Sequence, residues 1–182
     1  MNSQTLIQYN AVLSSCREIF AKKTKDYGTS WRILRASSLT DQLFIKAQRI
    51  RTLEESKENK VGESIEGEFK ALVNYSVMGI IQLETNDEDL HWTEEKSLLA
   101  YDEVTTNTRE LMIKKNHDYG EAWRNMRPSS FTDMILMKLL RVKQIEENNG
   151  TTLISEGIDA NYMDIINYAI FALIKLQEAE QA

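Results

Sequence analysis

Apolar residues recur every three or four positions through most of the chain, and each such run predicts an amphipathic helix. Leu6, Tyr9, Val12, Leu13, Cys16, Ile19 and Phe20 form one stripe over residues 5–25, and Gly28 follows as a helix stop. After a loop running to Ser38 or Thr40, a second stripe holds Leu43, Phe44, Ala47, Ile50 and Leu53, with Ser38-x-x-Asp41 as its cap. A polar bridge at 56–62 leads to a strongly apolar third helix containing Ile65, Phe69, Leu72, Val73, Val77, Ile80, Ile81 and Leu83. The bridge 85–89 restarts this order, predicting helices near 93–117, 132–148 and 155–179, the middle one capped by Ser130-x-x-Asp133.

The restart is a duplication. Without gaps, residues 9–55 match residues 101–147 at 20 of 47 positions, far above the agreement that shared composition produces. One inserted residue later the register resumes, placing Glu63, Glu66 and Asn74-Tyr75 opposite Glu156, Asp159 and Asn167-Tyr168. The expected fold is all-α: a six-helix bundle built from two tandem three-helix repeats, residues 1–86 and 93–182. The two are expected to pack as one unit with pseudo-twofold symmetry.

Composition agrees with this class. Only seven glycines and one proline interrupt 182 residues, and 42% hydrophobic with 27% charged residues fits a globular chain that buries a core. A net charge of -6 argues against a general duplex-binding surface, which needs clustered excess Lys and Arg, so a nucleic-acid partner is disfavoured. The single Cys16 has no disulfide or zinc-ligand companions, and no leader-like or membrane-spanning run is visible. A cytoplasmic protein is expected, and association into a homo-oligomer is left open.

The duplicated loop Asp-Tyr-Gly-x-x-Trp-Arg-x-x-Arg-x-Ser-Ser is richer than a helix connection needs. It supplies Tyr27, Trp31, Arg32, Arg35, Ser37 and Ser38 in the first repeat, and Tyr119, Trp123, Arg124, Arg127, Ser129 and Ser130 in the second. Arginine forks and serine hydroxyls suit phosphate, and Tyr or Trp can stack on a base, so these residues are candidates for a nucleotide site. The structural alternative has the tryptophans plugging the bundle end, Asp26 and Asp118 pairing with Arg32 and Arg124, and the serines capping helices.

Downstream, Lys46 with Arg49 and Lys138 with Arg141 each share one helix face suited to phosphate. Opposite them in sequence, Glu63 with Glu66 and Glu156 with Asp159 place carboxylates on one face of an apolar helix, where oxygen ligands can hold a divalent cation. Asp164 faces Ala71 in the alignment, which makes the second repeat the better equipped for metal. The alternative is interhelical ion pairing between the basic and acidic faces. Histidines are not repeated, and no glycine-rich phosphate loop is present.

Taken together, Asp118-Tyr119-Gly120, Trp123, Lys138-x-x-Arg141 and the helix Glu156 to Tyr168, with their first-repeat counterparts, resemble the nucleotide-modification-associated domain one family, a domain of unknown function. That resemblance implies a link to nucleotide metabolism or modified bases. A looser similarity connects the acidic helices to all-α nucleoside triphosphate pyrophosphohydrolases, the MazG and dimeric dUTPase group, although only Glu54-Glu55-x-x-Glu58 fits their EExxE motif and the second repeat breaks it. It implies magnesium on Glu156, Asp159 and Asp164, phosphates on Lys138, Arg141 and Arg127, and a metal-activated water as nucleophile. A non-catalytic nucleotide-binding or scaffold module is the alternative.

Overall fold

Helix ends in this chain are set by short local signals. In the computed structural model, which describes residues 3–56, 64–85 and 88–181, Gly28 and Gly120 adopt φ of 68° and 62°, a region that a Cβ disfavours. They terminate α1 (Ser3–Tyr27) and α4 (Glu94–Tyr119). Each stop passes into a single 3-10 turn, Ser30–Ile33 or Ala122–Asn125, closed by the Leu34 N–H on the Trp31 carbonyl and the Met126 N–H on the Trp123 carbonyl. The chain then enters α2 (Ala36–Ser56) and α5 (Pro128–Glu147). The last helix of each repeat is α3 (Ile65–Glu84) or α6 (Ile158–Glu180).

All six expected helices are present, and no strand occurs among the described residues. The expected caps at Ser38 and Ser130 are not used. Both serines lie inside the first turn, because the helices start two residues earlier, in the second repeat at Pro128, whose fixed φ and missing N–H suit a first helical position. Asp41 and Asp133 instead reach across the bundle, to Lys143 at 2.6 Å and to Arg51 at 3.8 Å.

Apolar residues cover most sides of α3 and α6, as expected of helices surrounded by others. These two pack on each other, α2 flanks α3, α5 flanks α6, and α2 meets α5, closing a four-helix ring. The α1 and α4 helices lie against both α3 and α6 and against one another. Where α3 meets α6, Gly79 is required by close approach: a Cβ there would stand 2.9 Å from the Tyr162 ring.

A single hydrophobic core includes residues of both repeats. Polar contacts across it are reciprocal between matched positions. The Tyr9 hydroxyl donates to Asn167 and the Tyr101 hydroxyl to Asn74, both at 2.8 Å. The Thr40 hydroxyl donates to Glu146 at 2.7 Å and the Thr132 hydroxyl to Glu54 at 2.9 Å. Among the described residues, no helix is long and apolar enough to cross a membrane.

Candidate functional site

The aromatic and arginine-rich loop folds inward. Trp31 packs between Phe20 and Trp92, and Trp123 stacks on Phe171 with centroids 4.3 Å apart and planes 8° from parallel. Arg32 is buried, lies 4.2 Å above the Trp92 ring and donates to Gln82, whose amide in turn donates to the carbonyls of Arg32 and Leu34. Arg124 covers Trp123 and donates to Glu121, Glu178, Thr5 and Gln8. The pairings expected for Asp26 with Arg32 and Asp118 with Arg124 are replaced by these partners, because the 3-10 turn swings each arginine toward the last helix of its own repeat.

The remaining loop residues face outward. Tyr27 and Tyr119 are 57% and 76% exposed. Arg35 and Arg127 are exposed without an ion-pair partner among the described residues, and Ser37, Ser38, Ser129 and Ser130 sit in the first turns of α2 and α5.

The acidic and basic faces meet as ion pairs. In the first repeat, Lys46 and Arg49 both hold Glu68, at 3.3 and 2.9 Å, and Glu68 is only 3% exposed. In the second, Asp164 accepts from Lys138 at 2.6 Å and from Lys115 at 2.5 Å. Glu68 and Lys115 are partners that helical spacing alone does not single out. The aligned positions Ala71 and Asp164 suggested a lost acid, but the first repeat carries its buried carboxylate one helical turn earlier, at Glu68, where the second has Asn161.

The carboxylates named for magnesium do not assemble. Asp164 is engaged by two ammonium groups, Glu66 by Lys70 at 2.7 Å, Glu156 and Asp159 are exposed, and Glu63 lies outside the described residues. No group of three or more His, Cys, Asp or Glu side chains suited to a metal occurs among the described residues. The donor set present therefore does not fit a protein-held magnesium ion, which needs several free oxygens in near-octahedral array. Of the EExxE residues, Glu54 takes the Thr132 hydrogen bond, Glu55 pairs with Arg51, and Glu58 is outside the described residues.

Two hollows remain. A cavity of about 390 Å³ opens in the first repeat between α1, the 3-10 turn and α3, with Phe20, Tyr27, Trp31, Tyr75 and Met78 as walls and Lys23, Ser30 and Lys70 as polar groups. Lys23 has no ion-pair partner among the described residues. At the matching place in the second repeat, Phe171 replaces Met78 and stacks on Trp123, while Asp164 replaces Ala71 and draws in Lys115, the counterpart of Lys23. The other hollow, about 560 Å³, lies in the second repeat between the end of α5, the loop 151–156 and the start of α6, and brings Lys138, Arg141 and Glu156 together.

Burial raises the pKa of Tyr27, which lines the first hollow, and of Tyr168, to about 12, where the charge of Arg141 opposes the rise. The Cys16 thiol, also pushed up to about 12 by burial, is a packed core residue without nucleophilic character at neutral pH.

No curated protein and no solved structure matches the chain. The family described as nucleotide modification associated domain 1 matches it twice, over residues 23–83 and 115–176, segments that begin at the equivalent Lys23 and Lys115. The two matches together span most of the sequence, and the chain accordingly belongs to the nucleotide modification associated domain 1 family as a tandem duplicate.

Proposed function

We infer that the protein binds a nucleotide in the first repeat, with the base and sugar in the cavity beside Trp31 and the phosphate on Lys23 and Lys70. The observation that carries this reading is the difference between the repeats: the same fold accommodates Phe171 and Asp164 in one copy and is hollow in the other. A volume of about 390 Å³ falls in the range of small-molecule sites, which combine apolar walls with a few convergent polar groups. The π faces of Tyr27 and Tyr75 suit a planar base, and ammonium groups at the rim suit a phosphate. Family membership supports the ligand class. Magnesium enters this reading as a companion of the ligand's own phosphates.

Binding without catalysis is the form of the reading that the paired acids and lysines favour, since Glu68 and Asp164 already serve as interhelical ion-pair acceptors. The test is the melting temperature with each common (d)NMP and (d)NTP, with and without magnesium. A ligand at about 100 times its Kd stabilises by about 2.7 kcal/mol. A selective shift is expected in the parent protein and in Phe171→Met. It is expected to vanish in Lys23→Ala and in the double variant Ala71→Asp, Met78→Phe, which copies the second repeat. Shifts that survive the double variant would place binding elsewhere, and no shift with any nucleotide would end the proposal.

A further inference from the structure

The two repeats treat their second basic residue differently. Arg49 donates to the buried Glu68 at 2.9 Å, a charge-assisted bond made within the protein. Its counterpart Arg141 lines one hollow with Asn161, the residue aligned with Glu68, and among the described residues Arg141 has no hydrogen-bond or ion-pair partner. Asn161 is buried, and its amide donates to the Gly157 carbonyl at 2.7 Å, so it supplies no charge to the arginine. The nearby carboxylate of Asp164 is held by Lys138 and Lys115. Asn161, aligned with Glu68, lines the second-repeat hollow together with Arg141, Lys138, Gln144 and Asn148.

We propose that this hollow is an oxyanion site, in which a carboxylate or phosphate of a small ligand takes the seat that Glu68 occupies in the first repeat. One repeat supplies its own anion, and the other receives it from solution. The Arg141 guanidinium presents a planar fork of donors to two oxygens, the Lys138 ammonium adds positive charge, and the amides of Gln144 and Asn148 supply neutral hydrogen bonds. Glu156, exposed at the rim, opposes an anion and sets a limit on affinity. This site is separate from the first-repeat cavity, and it stands whether or not that cavity holds a nucleotide.

Inorganic phosphate and acetate, each titrated at constant ionic strength and followed by melting temperature and by calorimetry, test the proposal. Saturable binding of one of them is expected, and which one saturates identifies the ligand class as phosphate ester or carboxylate. Arg141→Gln, at an exposed position, is expected to weaken binding by about tenfold or more. Glu156→Gln should tighten it, and all titrations are made in a Lys23→Ala background, so that phosphate held at the first-repeat cavity does not contribute to the reading. The decisive variant is Asn161→Glu, which installs the first repeat's carboxylate: it should melt higher than the parent without added anion and lose the response to anion. Saturable binding that persists in Asn161→Glu and Arg141→Gln, or no saturable binding of either anion, overturns the proposal.

Discussion

Asp164 accepts hydrogen bonds from two ammonium groups, and one of them, on Lys138, is itself buried. Removing the carboxylate would leave that charge inside the bundle without a partner, which typically costs about 3–5 kcal/mol. Asp164→Ala is therefore expected to destabilise the protein by about 3 kcal/mol or more in urea unfolding. Alanine is what the first repeat carries at this position, so the helix itself tolerates it. Adding Lys138→Met should recover most of the loss, because an apolar side chain of similar length needs no counter-charge and the more exposed Lys115 can turn to water. A loss that the second substitution does not relieve would mean that Asp164 acts through packing.

Between elements, α2 and α5 are joined by the reciprocal bonds of Thr40 with Glu146 and Thr132 with Glu54. Burial is the largest influence on both carboxyls and raises their pKa above the ordinary value; the threonine hydrogen bonds oppose it only in part. The folded state thus holds these protons more tightly than the unfolded chain. Stability falls as pH rises from the unfolded carboxylate value, about 4.3, through the raised folded value, and stays at its lowest above it. Glu54→Gln and Glu146→Gln keep an oxygen to accept the threonine bond and remove the charge. Both are expected to melt higher than the parent at pH 7, with the difference closing as pH approaches about 4. A difference that is the same at both pH values would show that the charge is not the cause.

At the scale of the molecule, the core passes through both repeats without interruption, and each repeat satisfies polar groups of the other. The α3 and α6 helices are too apolar to stand without each other, since separation exposes a face that water disfavours. A fragment of residues 93–182 is therefore expected to show no cooperative melt while monomeric. A sharp thermal transition at a concentration where the fragment sediments as a monomer would refute this and make the repeats independent folding units.

The sequence by itself determined the helices, their order and the duplication, because helix formation depends on residues three and four apart and on stops such as Gly28 and Gly120. It also marked Lys46 with Arg49, and Lys138 with Arg141, as pairs that each share one helix face. It did not reveal that Glu68, rather than Glu66, receives Lys46 and Arg49, nor that Asp164 is consumed by Lys115 and Lys138. Periodicity reports which face of a helix is buried, whereas the partner across that face depends on how distant helices are set against one another. The letters Met78, Phe171, Ala71 and Asp164 were visible from the start. Only tertiary packing decided that Phe171 stacks on Trp123 and Asp164 ties up Lys115 while Met78 and Ala71 line a cavity, because filling space is a property of three converging segments and not of any one of them.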